Sequence, residues 1–311
     1  MFDMKKIFQL INSELESLPA TKADARLIRF RILNETYGVR VDFIEEIDSP
    51  ARFNPKSNPV IFVHGVDYAD DREAVADFIL PLAEATGLGR SRRTTEFYLL
   101  TWNSMLFSRG TRDRVSVNPL KRLKFYLAAS LWWSRFWRDA ERRADEAAHA
   151  LAGFMEVCFD RGLAPAGVTH SAGALVWAGA MKRIMASRPD VATGLTSPGR
   201  WWNLQPAMPD EAFCDQGDYA AVAALYARGR QANHVVWFSR MDFILGALYR
   251  FARKAPAMGQ FGARNRSVRQ RDVTWLTMEA HGNNVLMRLP GNFFARARRA
   301  LRVDARVLGL V

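Results

Sequence analysis

One serine stands where a strand-like segment gives way to an alanine-rich, helix-like segment. Residues 166–173 read Ala-Gly-Val-Thr-His-Ser-Ala-Gly. A serine on such a sharp strand-to-helix turn presents its hydroxyl for attack, and small neighbours relieve the crowding of a strained backbone. The usual Gly-x-Ser-x-Gly pattern is only partly met, because Thr169 stands at the first glycine position. The pattern predicts Ser171 as a nucleophile; the structural alternative is an ordinary helix N-cap.

A serine hydroxyl is a weak nucleophile at neutral pH, so a neighbouring base must accept its proton. In sites built on this kind of turn the chain order is serine, then acid, then histidine. Of the five histidines, His64, His149 and His170 lie before or beside the serine. His234 opens an apolar run, where a solvent-facing strand start or a hydrogen-bonded structural role is expected. Only His281 remains, and we predict it to be the base.

A carboxylate must hold the imidazole in the correct tautomer and stabilise the imidazolium. Asp242 follows the strand-like run at 234–238 and is the predicted acid. It has a structural alternative, which is to cap the helix that begins at Phe243. Asp210 follows an earlier apolar stretch, at 201–209, and remains an alternative acid because triads accept acids from different loops.

Negative charge that develops on a substrate carbonyl oxygen needs hydrogen-bond donors. Residues 58–66 read as a buried strand that ends in His64-Gly65, a composition typical of an oxyanion loop. In sites built on a strand-to-helix turn of this kind, one donor is the backbone N–H of the residue after the nucleophile. A second donor is a backbone N–H from the loop after the third strand. These are the N–H groups of Ala172 and Val66, and His64 lines the loop structurally.

Three stretches together, residues 62–65, 169–173 and 237–242, resemble the α/β-hydrolases. More narrowly, they are similar to poorly characterised bacterial proteins of the esterase/lipase superfamily. The resemblance implies a mostly parallel central sheet flanked by helices. It also implies hydrolysis of a carboxylic ester through an acyl-enzyme, with Ser171, Asp242 and His281 as the triad and with neither metal nor organic cofactor.

Short apolar runs that alternate with helical stretches indicate parallel βαβ units. Two early strands, closely joined, predict an antiparallel hairpin at the edge of the sheet. We expect a single domain over 1–311, with a helical insertion at 104–140 and a basic C-terminal helix at 291–311. The predicted strands are 26–33, 39–47, 60–63, 96–101, 166–169, 201–204, 234–238 and 273–278.

The insertion is basic and rich in tryptophan, and the whole chain has 44 Lys and Arg against 32 Asp and Glu, a net charge of +12. A basic aromatic helix suits either an anionic membrane surface or a core helix with a solvated basic face. The first alternative favours a lipid ester as substrate and peripheral contact with an anionic membrane. Nucleic acid is disfavoured as a partner, because no zinc-finger spacing or RNA-binding signature accompanies the charge.

A second class of function is a non-catalytic hydrolase-fold protein that binds anionic lipid or nucleic acid through its basic surface, since fold alone does not fix function. Two cysteines without metal-ligand spacing indicate a reducing compartment. The N-terminal apolar run is too short for a signal peptide, and no stretch is long enough to span a bilayer. The sequence therefore predicts a soluble, cytoplasmic protein.

Overall fold

The computed structural model describes most of the chain. The described residues are 4–18, 22–35, 38–66, 71–89, 95–108, 111, 125, 128–228, 233–242, 244–274 and 297–311. The predicted base, His281, lies outside them, as does most of the segment between 109 and 127.

The centre of the described structure is an eight-stranded sheet in the order β2-β1-β4-β3-β5-β6-β7-β8. From β4 to β8 all neighbouring strands are parallel, whereas β1 pairs antiparallel with both β2 and β4. The parallel strands therefore end at one common edge. The strands are β1 Arg26–Glu35, β2 Gly38–Ile47, β3 Val60–Val63, β4 Phe97–Thr101, β5 Ala166–His170, β6 Arg200–Leu204, β7 His234–Phe238 and β8 Arg269–Asp272.

The predicted α/β class, the antiparallel edge hairpin and the first seven strands are confirmed. The last strand was predicted wrongly: Val273 and Thr274 lie beyond β8, and the rest of 273–278 is outside the described residues. The observed strand, Arg-Gln-Arg-Asp, is polar and partly exposed because it pairs with β7 on one side only. An edge strand needs little apolar surface, so hydrophobicity pointed to the wrong residues.

Helices cover both faces of the sheet. None of the helices in the described part of the chain is long and apolar enough to cross a membrane. They are α1 Met4–Ser17, α2 Asp71–Ala74, α3 Leu80–Thr86, α4 Trp133–Asp160, α5 Gly173–Ser187, α6 Pro189–Ala192, α7 Ala220–Ala227, α8 Arg250–Arg253, α9 Met258–Phe261 and α10 Arg298–Val307, with π-helical turns at Val75–Ile79 and Ile244–Tyr249.

Alternate residues along each strand enter different cores, as the two-residue period of a strand requires. In β3, Ile61 and Val63 pack with α4, α5 and α7, whereas Val60 and Phe62 pack with α3 and α10. Both faces are thus covered, which is why the central strands are apolar throughout. This double packing fixes the strand ends that carry the site.

The aromatic residues at the start of α4 point into the protein. Trp133, Phe136 and Trp137 are at most 4% exposed. Trp133 and Phe136 form a third apolar cluster with Ile7 and Ile11 of α1, which we call the cap cluster. Of the two interpretations of this basic aromatic helix, its buried aromatic side chains match a core helix with a solvated face.

Candidate active site

Ser171 lies on the turn between β5 and α5 and has a φ of 55°. Positive φ is uncommon for a non-glycine residue and is a form of strain that concentrates at functional sites. The Ser171 N–H donates to the Leu204 carbonyl at 3.1 Å, and its carbonyl accepts the N–H groups of Ala174 and Ala207 at 3.2 and 3.0 Å. The strained turn is therefore held by hydrogen bonds from both sides.

Thr169, which departs from the usual glycine, is accommodated by a buried polar network. Its hydroxyl accepts a hydrogen bond from the Trp201 indole at 2.9 Å and donates to Asn203 Oδ1 at 3.0 Å. The side chain thus points toward β6. The strained turn at Ser171 therefore forms even though threonine, and not glycine, stands at position 169.

The loop after β3 touches the serine directly. A Cβ atom on Gly65 would lie 2.5 Å from Ser171 Cβ and 3.1 Å from its Oγ, and one on Gly173 would lie 2.3 Å from the Val63 carbonyl oxygen. Only glycine permits both approaches, because such distances are far below van der Waals contact. The predicted oxyanion loop and the predicted nucleophile are therefore neighbours in space.

Within the described part of the chain, no backbone carbonyl competes for the predicted oxyanion donors. The N–H groups of Val66 and Ala172 donate to no backbone carbonyl among the described residues. Ala172 is the N-cap of α5, a helix of 15 residues, so its N–H lies at the positive end of the helix dipole. Whether the two N–H groups converge on one substrate oxygen stays a prediction.

His64 stiffens the same loop as a neutral side chain. It is 3% exposed, its Nδ1 lies 2.9 Å from the Gly65 carbonyl oxygen, and its ring stacks on Trp102. The Trp102 indole in turn donates to the His64 carbonyl at 3.2 Å. Burial lowers the pKa of His64 to about 4, so this imidazole is uncharged at neutral pH.

His234 does not have the role that the sequence suggested. It begins β7, yet it is 4% exposed rather than solvent-facing, and its ring stacks on Trp201 with centroids 4.3 Å apart. Neither ring nitrogen has a hydrogen-bond partner among the described residues. Burial lowers its pKa to about 3, so neither His234 nor His64 can account for an ionisation in activity near neutral pH.

Asp242 is fully buried just beyond the end of β7. Its Oδ2 accepts a hydrogen bond from Gln205 Nε2 at 2.9 Å, and its Oδ1 accepts the Leu245 N–H at 2.9 Å. The second bond shows that Asp242 does cap the following helical turn. A carboxylate has about four acceptor positions, so the cap does not prevent a further bond to an imidazole.

Asp210, the alternative acid, is engaged elsewhere. Its Oδ2 accepts Arg264 Nε at 2.8 Å, and the Arg264 N–H donates to its carbonyl at 2.9 Å. Asp210 is 6% exposed, and Arg264 is 55% exposed. The Asp210 carboxylate thus has a cationic structural partner, which joins the loop after β6 to the loop before β8.

The serine is closed off from solvent. Ser171 is 2% exposed and Asp242 is fully buried. Val66 is half-buried between the main core and the cap cluster, so the cap cluster packs on the loop beside Ser171. Within the described ranges no three His, Cys, Asp or Glu side chains converge as metal ligands.

The structure has a mostly parallel sheet covered by helices, with a strained serine at the carboxyl end of a central strand, as the resemblance to α/β-hydrolases in sequence implied. No family model and no curated protein matches the chain.

Solved structures with a similar chain path include a hyperthermophilic esterase from the archaeon Pyrobaculum calidifontis. It is 12% identical, the match covers 99% of this chain and 91% of that one, and the TM-score is 0.39. A monoclinic form of the P. calidifontis esterase is 12% identical, with 99% of this chain and 93% of that one covered and a TM-score of 0.38. An arylesterase is 10% identical, with 100% of this chain and 94% of that one covered and a TM-score of 0.34. Similarity of this degree assigns no activity.

Proposed function

We propose that this protein is a serine hydrolase that cleaves a carboxylic ester through an acyl-enzyme. The observation that carries the proposal is the left-handed Ser171, held against the glycine of the oxyanion loop. A serine that served only as a helix cap would have extended backbone, not this strained conformation. The strained conformation is expected of a serine whose hydroxyl is directed toward a substrate.

In the proposed reaction Ser171 Oγ attacks the ester carbonyl carbon while His281 accepts the hydroxyl proton. The negative oxygen of the tetrahedral intermediate accepts hydrogen bonds from the Ala172 and Val66 N–H groups. The intermediate expels the alcohol, which takes the proton from His281. Water then repeats the sequence on the acyl-enzyme and releases the carboxylic acid, while Asp242 holds the imidazole throughout.

The class of substrate is proposed only as carboxylic ester. In the sequence, the basic aromatic insertion favours a lipid ester, but Trp133, Phe136 and Trp137 are buried inside the protein. A membrane-facing role for these rings is therefore not supported by their position.

A panel of p-nitrophenyl esters with acyl chains of increasing length tests the proposal, together with the thioester and the anilide of one acyl group. We expect ester hydrolysis by the wild type and none by Ser171→Ala. Faster turnover of the thioester or the anilide would place the protein in a different class of serine hydrolase. Equal rates for wild type and Ser171→Ala would contradict the proposal.

The burial of Ser171, at 2% exposure, favours a second candidate function, a non-catalytic protein of the same fold. Such a protein would bind its partner through a surface formed by the lysine and arginine residues that give the chain its net positive charge. Not every arginine is available to such a surface, since Arg271 binds the fully buried Asp304 at 2.6 Å. A wild type that hydrolyses no member of the panel but binds anionic vesicles or nucleic acid would favour this candidate.

Gly65→Ala is expected to slow modification of Ser171 by a fluorophosphonate by roughly 100-fold, because a displacement of about 1 Å at a reacting group costs about that much. The new Cβ would meet Ser171 Cβ at 2.5 Å, so either the loop or the serine must move. Labelling rates of the two proteins measure the effect.

Gly153→Ala is the matched control. Its Cβ would meet Pro50 Cγ at 2.9 Å, a comparable clash, but on α4 rather than at the serine. This variant should label at the wild-type rate. Equal rates for Gly65→Ala and wild type would show that the loop does not constrain the serine.

A further inference from the structure

Gln205 follows β6 directly and shares the unusual backbone of Ser171. Its φ is 47°, and among the described residues only Asp24, Ser171 and Lys254 are other non-glycine residues with positive φ. Glycine and asparagine adopt this conformation at lower cost, so glutamine is a poor choice for the backbone alone. Strained backbone clusters at functional sites, so the side chain of this buried glutamine is expected to have a function.

The surrounding chain holds Gln205 in that conformation. Its N–H donates to the Trp237 carbonyl at 2.9 Å. On the other side Gly259 of α9 lies so close that a Cβ there would be 2.4 Å from the Gln205 carbonyl carbon. Gly259 is itself fixed, because its N–H donates to Pro206 at 2.9 Å and its carbonyl accepts the Ser239 N–H at 2.9 Å. The strain is thus imposed by packing rather than by local sequence.

The Gln205 side chain is fully buried and reaches the carboxylate of Asp242, with Nε2 2.9 Å from Oδ2. Ser171, Gln205 and Asp242 follow the ends of β5, β6 and β7, three adjacent strands. Gln205 therefore follows the strand that lies between those carrying the predicted nucleophile and the predicted acid. Its amide donates to a charged acceptor away from water, where such a bond is strongest.

We infer that Gln205 is a positioning residue, which fixes the orientation of the Asp242 carboxylate for its proposed bond to the base. This inference rests on the proposed serine hydrolase function. With Oδ1 held by the Leu245 N–H and Oδ2 by Gln205, the carboxylate cannot rotate. A fixed carboxylate keeps the imidazole of the base in one tautomer and one orientation.

Two substitutions test the inference through the rate at which a fluorophosphonate labels Ser171, measured from acid to alkaline pH. Gln205→Met keeps the length of the side chain and removes the donor. We expect labelling to fall by about 10- to 100-fold at every pH, the usual effect of losing a buried hydrogen bond to a charged group.

Gln205→Glu gives a change in the shape of the pH profile. When protonated, the new carboxyl group donates to Asp242 as the amide did; when ionised, it cannot donate and repels Asp242, as two carboxylates at this distance must. Wild-type labelling should rise with pH and level off as the base loses its proton. The Glu variant should rise and then fall again at alkaline pH, which a loss of packing alone would not produce.

Gln270→Met is the matched control, since its amide bonds the Ala263 backbone and not the Asp242 carboxylate. It should label at the wild-type rate with an unchanged profile. If circular dichroism shows that Gln205→Met is unfolded, the pH profile of the Glu variant alone tests the inference. That profile compares the labelling rate of one folded protein at different pH values, so it does not depend on the Met variant.

The possible results separate the two proposals. An unlabelled, folded wild type would overturn the hydrolase function and this inference together. A labelled wild type, with both Gln205 variants matching it in rate and in pH profile, would overturn the role of Gln205 alone. A labelled wild type with the alkaline fall in the Glu variant would establish it.

Discussion

Asp242→Asn is expected to lower the rate of ester hydrolysis by roughly ten-thousand-fold, the size of effect seen when a triad acid becomes an amide. Asp242 accepts N–H donors on both oxygens, from Gln205 and from Leu245. An asparagine has one acceptor oxygen, so its NH2 group must face a donor or present a hydrogen to the imidazole. The first arrangement sets two donors against each other and displaces the side chain, and the second stabilises the wrong tautomer of the base.

Stability and activity should separate in this variant. Asparagine caps a helical turn as well as aspartate does. It can no longer accept both donors, so the free energy of unfolding should fall by about 1–3 kcal/mol, which leaves a domain of ordinary stability folded. Urea unfolding curves and initial rates on one ester, measured on the same preparation, give both quantities. A loss of stability without a loss of activity would reduce Asp242 to a capping residue.

Asp210→Asn is the matched control and tests the alternative acid. Asp210 is bound to Arg264, whose side chain is more than half exposed. We therefore expect near wild-type activity. Should Asp210→Asn lose activity while Asp242→Asn keeps it, the assignment of the acid must be reversed.

Arg143→Met is expected to lower the free energy of unfolding by about 3 kcal/mol, since each buried acceptor that loses its donor costs about 1–3 kcal/mol. Arg143 is 1% exposed on α4, where its Nε donates to Asp139 Oδ2 at 2.9 Å. Its remaining donors reach the carbonyls of Asn103 at 2.6 Å and Met105 at 2.8 Å. The variant would leave both carbonyls and a carboxylate without these bonds. Asp139 keeps one partner, Arg142 at 2.7 Å, so the two backbone carbonyls contribute most of the loss in free energy.

Arg183→Met provides the comparison. Arg183 holds Asp145 with one nitrogen 2.8 Å from each carboxylate oxygen, but the side chains are 34% and 66% exposed. Exposed pairs contribute only about 0.2–1 kcal/mol. Urea unfolding curves give the loss in free energy of unfolding for both variants. Equal losses would show that burial does not strengthen the contacts of Arg143.

Much of the fold could be predicted because its determinants are local. Apolar runs bounded by turn residues located the strands from β1 to β7, and small residues around Ser171 located the strained turn. The polar edge strand β8 was missed, because an edge strand carries no hydrophobic pattern.

Other features depend on distant partners and leave little trace in sequence. A lone glutamine after β6 gives no sign that it will reach Asp242, 37 residues away. His234 looked like a polar strand start, yet its ring is enclosed by Trp201, Phe213 and Tyr226.

The central claim, that Ser171 is an activated nucleophile, is tested most directly by treating the folded protein with a small fluorophosphonate and mapping the modified peptide by mass spectrometry. The account predicts a single adduct on Ser171 in the wild type and none in Ser171→Ala, with His281→Ala labelled far more slowly. A folded wild type that stays unmodified, or that is modified only at another residue, would contradict it.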